Sequence, residues 1–247
     1  MTDSSATVRP DRRVELAASL ALVRARIADA CADAGRDPAE VTMIAVTKTY
    51  PAGDVLALAG LGVTDMGENR DQEAAGKAAE VAGAGVSPRW HFIGQLQRNK
   101  ARSVTRYADV VHSVDSVRLA RALATAAADR ERPLAALLQV SIDGDPARGG
   151  ALPDSADPGV GLEPVAEAVA EAPTLRLAGL MAVAPLGWAP ERAFARLAEV
   201  AEAFRRVHPG ASALSAGMSG DLEIAIRYGA THVRVGSALL GMRPTLR

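Results

Sequence analysis

Apolar residues recur at spacings of three and four from Arg12 to Ala34, through Leu16, Leu20, Val23, Ile27, Ala30 and Ala34, and predict an amphipathic helix. Gly35 ends that pattern and Pro38 follows, a normal stop signal. From Val41 onward, short runs of β-branched and apolar residues alternate with longer stretches at helical spacing. Strands are predicted at Val41–Val46, Thr64–Gly67, Trp90–Gly94, Asp109–Val114, Leu134–Ile142, Leu175–Val183, Ala213–Gly217 and His232–Ser237. Helices are predicted between them, at Ala52–Leu61, Asp71–Ala82, Arg98–Tyr107, Val117–Arg130, Leu162–Glu171, Pro190–Val207 and Asp221–Tyr228. Each strand but the last is followed by a helix. Strict β/α alternation implies parallel pairing with right-handed crossovers. The fold class is therefore α/β, a single closed (β/α)8 TIM barrel with an extra N-terminal helix. An open doubly wound sheet is the alternative, but no Gly-x-Gly-x-x-Gly follows the first strand.

The polar residues 1–11 read as a disordered tail, and 12–247 as one domain. The segment 143–161 is rich in Gly, Pro and Asp and reads as a long mobile loop after a strand C-terminus, the face where barrel sites form.

Composition narrows the class. The 28 basic and 29 acidic residues nearly balance, which gives no electrostatic footprint for nucleic acid. No apolar stretch approaches the length of a membrane span, and the N-terminus has no secretory h-region. The single cysteine, Cys31, excludes an internal disulfide and falls on the apolar face of the first helix, as a buried filler. A soluble cytoplasmic protein without nucleic-acid or membrane partners is the expectation.

Chemistry is sought where the strands end. The first strand ends in Lys48, an amine that is costly to desolvate and that serves either as a rim residue or as a phosphate partner or nucleophile. Gly217-Met218-Ser219-Gly220-Asp221 runs straight into a helix, with Ser219 as N-cap candidate. Gly236-Ser237 repeats the theme on the neighbouring strand, and phosphate sites after strands seven and eight recur in this fold. Strand alternation puts His232, Arg234 and Gly236 on one face. Arg234 needs either a carboxylate, such as Glu68, or a ligand acceptor at the barrel mouth. A ligand with a phosphate, an electrophilic carbonyl and a ring acceptor would span these groups, and pyridoxal 5′-phosphate (PLP) has all three. Lys48 would form its aldimine, Ser219, Gly236 and Ser237 would hold the phosphate, and Arg234 would face the pyridine nitrogen.

The chain resembles the pyridoxal phosphate homeostasis protein family, also called the proline synthase co-transcribed homologue family. The resemblance rests on Val46-Thr47-Lys48, Gly67-Glu68-Asn69, Trp90 to Lys100, His112-Ser113-Val114-Asp115, Gly179-Leu180-Met181, Leu214 to Ser219 and Val233 to Ser237. It implies a barrel like the N-terminal domain of alanine racemase. It also implies that Lys48 carries PLP as a covalent aldimine, with Asn69, Ser219, Arg234, Gly236 and Ser237 around it, no metal, and apo forms of PLP-dependent enzymes as partners. The expected state is a monomer, with a weak dimer as the alternative. The chain departs from the family pattern at Asp143 to Gly149, where Arg148 replaces a lysine, and at Gly220, where an acidic residue is common. Gln97 to Lys100 suit either a second anion or a structural network.

A racemase needs two acid/base groups on opposite faces of the substrate carbon. Lys48 supplies one, and the tyrosines available are Tyr50, Tyr107 and Tyr228. The tyrosine base of alanine racemase comes from an additional β domain, which the 247 residues are not expected to contain. The expectation is a protein that binds, buffers or delivers PLP without robust catalysis. A PLP-dependent racemase or lyase, and a phosphosugar barrel, are the alternatives.

Overall fold

The structure is a computed structural model that describes residues 10–145 and 148–241. Its frame is a closed barrel of eight parallel strands in sequence order. These are β1 (Thr42–Val46), β2 (Asp65–Glu68), β3 (Arg89–Phe92), β4 (Val110–Val114), β5 (Leu134–Gln139), β6 (Leu175–Met181), β7 (Ala213–Met218) and β8 (His232–Val235). The ring closes where β8 pairs with β1, from Thr42 opposite His232 to Ala45 opposite Val235. Around it lie α2 (Ala52–Ala59), α3 (Asp71–Gly83), α4 (Ala101–Val104), α5 (Val117–Ala126), α6 (Leu162–Ala170), α7 (Pro190–Val207) and α8 (Leu222–Arg227). The predicted TIM barrel is thus the observed fold. Two short elements were not expected: a 3-10 turn at Pro38–Glu40 before β1, and a single-turn helix, α9 (Ser237–Leu240), after β8.

Helix α1 (Pro10–Asp33) precedes the barrel and lies against α2, α8 and α9. Leu16, Leu20, Val23, Ile27, Ala30 and Cys31 are buried on that face, as their spacing requires. Polar clamps complete the packing. Arg36 donates to the carbonyls of Ile226 and Ala230, at 2.8 Å each. Arg26 reaches Glu223 at 2.6 Å and the carbonyl of Ser219 at 2.9 Å. Pro10 and Asp11, expected in the tail, open α1, whose first turn gains from an acidic residue. The rest of the expected tail, residues 1–9, lies outside the described residues.

In the segment expected as a long loop, the described residues 143–145 and 148–161 are tied to the barrel by bridges and ion pairs. Val140 bridges Ala151 and Leu152 bridges Gly161, both in parallel sense. Ala151 is fully buried. Arg148 pairs with Asp143 at 2.8 Å and donates to the carbonyls of Val183 and Ala184 beyond β6. Backbone bridges of this kind leave no compositional signature, so a Gly- and Pro-rich stretch reads as looser than it is.

Candidate functional site

Thr47 follows β1 fully buried, and Lys48 comes next as an exposed residue of a turn closed by the Tyr50 amide on the Thr47 carbonyl at 3.0 Å. The lysine is thus beyond the strand and in solvent, not at its buried end. Its side chain has no hydrogen-bond or ion-pair partner among the described residues. The next residue, Thr49, has φ 69°, the left-handed region that a β-branched side chain rarely enters. The Thr49 amide donates to the Glu73 carboxylate, which holds the turn in this conformation. Strain of this kind persists where surrounding contacts over-determine it, and it gathers at functional sites.

A buried ion cluster lies under the same turn. Lys77 of α3 donates to Glu68 at 2.5 Å, to the Thr47 carbonyl at 2.7 Å and to Glu73 at 3.1 Å. Glu68 also accepts from the Thr47 hydroxyl at 2.6 Å. Burial holds the Glu68 carboxyl above its ordinary range, against the opposing pull of Lys77 and Thr47. Glu68 is therefore committed to Lys77 and is not the partner of Arg234. The i, i+4 spacing of Glu73 and Lys77 after Gly67-Glu68-Asn69 was the available signal for this cluster, and sequence reasoning missed it.

Arg234 is 5% exposed and points into the barrel. It donates to the Ser215 hydroxyl at 2.7 Å and to the Ala182 carbonyl at 2.9 Å. Burial lowers it to about 10, so it remains a cation at neutral pH, and no carboxylate among the described residues pairs with it. Its remaining N–H groups are available to an acceptor at the mouth.

Ser219 does not cap α8. That place is taken by Asp221, whose carboxylate accepts from the Met218 amide at 2.6 Å. The Ser219 hydroxyl instead accepts from the amides of Gly236 and Ala238, at 3.3 and 3.2 Å. Two backbone donors at the start of α9 thus converge on one oxygen, the arrangement that receives a phosphate oxygen. Gly217, at φ 86°, brings this loop close to α8, since a Cβ there would lie 2.5 Å from that of Ala225. Gly236 sits against Val46, which brings the cradle to the end of β1. Ser237 is exposed at the same helix start.

Asn69 follows β2, its Oδ1 buried without a partner among the described residues. Its backbone is so close to Gly94 that a Cβ on the glycine would lie 2.2 Å from the Asn69 carbonyl oxygen. Of the sequence-predicted residues, Ser219, Gly236 and Arg234 share the β7–β8 side, with Ser237 beside them, and Lys48 and Asn69 follow the neighbouring β1 and β2. The segment after β3 forms a 3-10 turn, Arg98–Lys100, in which Lys100 approaches Asp71 at 3.9 Å. No group of His, Cys, Asp and Glu among the described residues could hold a metal ion.

Comparison with known proteins now decides the family. The alanine racemase N-terminal domain family matches residues 19–244. A pyridoxal phosphate homeostasis protein of Mycobacterium leprae is 46% identical over 244 residues, covering 94% of each chain. The chain belongs to this family. A pyridoxal phosphate homeostasis protein of Escherichia coli K12 is 38% identical, covering 93% of this chain and 97% of that one. Among solved structures, PipY of Synechococcus elongatus PCC7942, with PLP bound, gives a TM-score of 0.74 at 32% identity, over 92% of this chain and all of that one. Alanine racemase of Corynebacterium glutamicum, at 15% identity and a TM-score of 0.65, shares the fold over 95% of this chain and 64% of its own length. Family membership agrees with the sequence resemblance. No helix among the described residues is long and apolar enough to cross a membrane.

Proposed function

We propose that this protein binds pyridoxal 5′-phosphate at the mouth of the barrel and serves its homeostasis by holding and releasing the cofactor. The observation that carries the reading is the convergence of the Gly236 and Ala238 amides beside a buried, carboxylate-free Arg234. The donor set fits the group: the Ser219 and Ser237 hydroxyls for a phosphate, with the Gly236 and Ala238 amides, which here donate to Ser219, turned to the same place, a guanidinium for a ring nitrogen, and a free amine in Lys48. PipY, solved with PLP bound, supports the same ligand. When bound, the cofactor supplies an aldehyde that an amine can capture covalently and a ring that withdraws electrons.

The chain's own residues then divide the work. Lys48 attaches to the cofactor, its exposure keeping that bond open to water and hence reversible. Thr49 and the Lys77 cluster fix the direction in which Lys48 leaves the barrel. Asn69, whose amide oxygen is buried without a partner among the described residues, would offer the cofactor an acceptor. Arg234 stays cationic and so leaves the ring nitrogen unprotonated, a weaker electron sink than a carboxylate partner would give. We also propose that efficient catalysis is absent. The Tyr50 hydroxyl is engaged with the Gly241 carbonyl at 2.7 Å, and burial raises the Tyr107 phenol far above its ordinary value. Neither is poised as the second base. Apo forms of PLP-dependent enzymes are the proposed recipients, and the cytoplasm the proposed compartment.

The test is spectroscopic. The purified protein with PLP should show a visible band that borohydride bleaches, absent in Lys48→Ala, and should pass the cofactor to an apo-enzyme acceptor. Incubation with L- and D-amino acids in deuterated water examines the racemase reading. Exchange of the α-proton at catalytic rates, lost in Lys48→Ala, would overturn the non-catalytic one.

A further inference from the structure

Arg234 is one end of a buried polar chain that crosses the barrel interior. Its guanidinium donates to Ser215 Oγ at 2.7 Å. Ser215 Oγ lies 3.0 Å from His112 Nδ1, and His112 Nε2 lies 2.8 Å from His91 Nδ1. His91 Nε2 lies 2.8 Å from Asp65 Oδ1. Ser215 and His112 are fully buried, and His91 and Asp65 nearly so. Five strands contribute to the path, in the order β8, β7, β4, β3 and β2, and it ends at the first residue of β2.

The ends fix the direction of every proton. A guanidinium can only donate, and an ionised carboxylate can only accept. Burial raises Asp65, but the hydrogen bonds from His91 and Thr64 outweigh it and hold the carboxyl below its ordinary range. His91 therefore carries its proton on Nε2 and accepts at Nδ1. His112 likewise carries its proton on Nε2 and accepts from Ser215 at Nδ1. Ser215 accepts from Arg234 and donates onward. The reverse order would set His91 Nε2, as an acceptor, against the carboxylate. Both imidazoles are neutral in this arrangement, in agreement with the downward shift that burial gives each. The other charged or titratable groups facing them are Arg89 and Asp109 at His91, and Arg89, His232 and Arg234 at His112. The His232 ring centroid lies 6.3 and 6.4 Å from those of His91 and His112.

We propose that Asp65, His91, His112 and Ser215 are positioning residues for Arg234, a one-way hydrogen-bond chain that gives its buried cation a distant counter-charge and fixes which edge of its fork faces the mouth. Through Arg234 the chain sets the hold on the ring nitrogen, a step that rests on the PLP reading above. Side chains with no contact to the cofactor thereby govern its retention from the opposite end of the barrel.

Two measurements test this. In the apoprotein, ¹⁵N spectra of the imidazoles should show His91 and His112 as neutral Nε2–H tautomers at pH 7. An Nδ1–H tautomer or an imidazolium at either ring would overturn the chain. Asp65→Asn keeps an acceptor for His91 but removes the charge, and Ser215→Ala cuts the chain. Ser215→Ala should weaken PLP retention by about tenfold, the ratio expected for losing a hydrogen bond to a charged group. Asp65→Asn, which loses only the charge, should weaken it by a smaller factor, and each should shift the pH titration of the bound cofactor's absorption. In an Arg234→Gln background the Asp65→Asn effect should vanish, because the two act as one unit. An equal effect in both backgrounds would assign Asp65 a merely structural role and overturn the proposal. So would wild-type binding that both single variants leave unchanged, with thermal unfolding confirming that they fold. A wild-type protein that binds no PLP is a separate outcome: it overturns the cofactor reading and, with it, the step from Arg234 to the ring.

Discussion

Thr49 and Lys77 explain how an exposed lysine can be held in a defined direction. A non-glycine residue in the left-handed region stores about 1–3 kcal/mol, and at Thr49 this strain is held by the Glu73 carboxylate on its amide. Thr49→Gly should relieve the strain and lose roughly 0.5–1 kcal/mol to backbone entropy. Equal or higher stability in urea is therefore expected, together with faster PLP release as the Lys48 turn loosens. A clear loss of stability would show that Thr49 is not strained. Lys77 is the opposite case. Its removal leaves Glu68 buried beside no cation, and Lys77→Ala should cost roughly 3–5 kcal/mol, as breaking a buried pair does. Lys77→Met combined with Glu68→Gln, which removes both charges, should recover much of that loss in the same unfolding experiment. Neither residue shows its role in the sequence. Thr49 looks like any loop residue, and Lys77 looks like one more polar residue on a helix, because strain and long-range pairing appear only once β1, β2 and α3 are assembled.

The β/α succession was legible because each strand of a buried parallel sheet is a compact apolar run and each helix shows its own period. Element ends were legible only in part. Gly217-Met218-Ser219-Gly220-Asp221 was correctly read as a strand-to-helix turn, yet Asp221 holds the N-cap position of α8, its carboxylate turned back to the Met218 amide, and Ser219 turns to α9. Two residues of similar capping chemistry two positions apart cannot be ranked from spacing alone, and the competing donors lay on an element, α9, too short to leave a pattern. The geometry makes Ser219 a tie between the β7 and β8 loops. Ser219→Ala should weaken binding of PLP, and of inorganic phosphate as a competitor, by about tenfold through one lost hydrogen bond, with little change in unfolding midpoint. Equal affinity of wild type and variant for both would exclude the hydroxyl from the phosphate cradle. Gly94 is the matching tie on the far side of the mouth. Any Cβ there collides with the Asn69 backbone, so Gly94→Ala must displace the β2–α3 turn and lower stability and cofactor affinity together.

The barrel interior carries its charge unevenly, and this gives the whole molecule a pH dependence with a definite sign. His91, His112 and His232 are all held below the ordinary imidazole value, chiefly by burial, with His232 at about 4. Between that lowered value and the unfolded value near 6.5, the unfolded chain binds protons that the folded barrel refuses. Unfolding free energy therefore falls as pH falls through this window, by up to about 1.4 kcal/mol per pH unit for each histidine. Asp65, held low, adds to the loss at still lower pH as its carboxylate is protonated. Glu68, held high by burial, acts the other way, since the folded state keeps a proton that the unfolded chain releases. Asp115, also held high by burial, acts in the same sense as Glu68, and two opposing carboxyls do not cancel three imidazoles. Full stability should hold above pH 6.5 and decline steeply toward pH 5 in denaturant titrations. His232→Asn removes the histidine that stands outside the Asp65–Arg234 chain, and should flatten the slope by about one imidazole's share while leaving PLP retention at pH 7 unchanged. Stability that is flat from pH 7 to pH 5 would show that the three rings are not neutral in the folded barrel, and the one-way direction of the chain through His91 and His112 would fail with it.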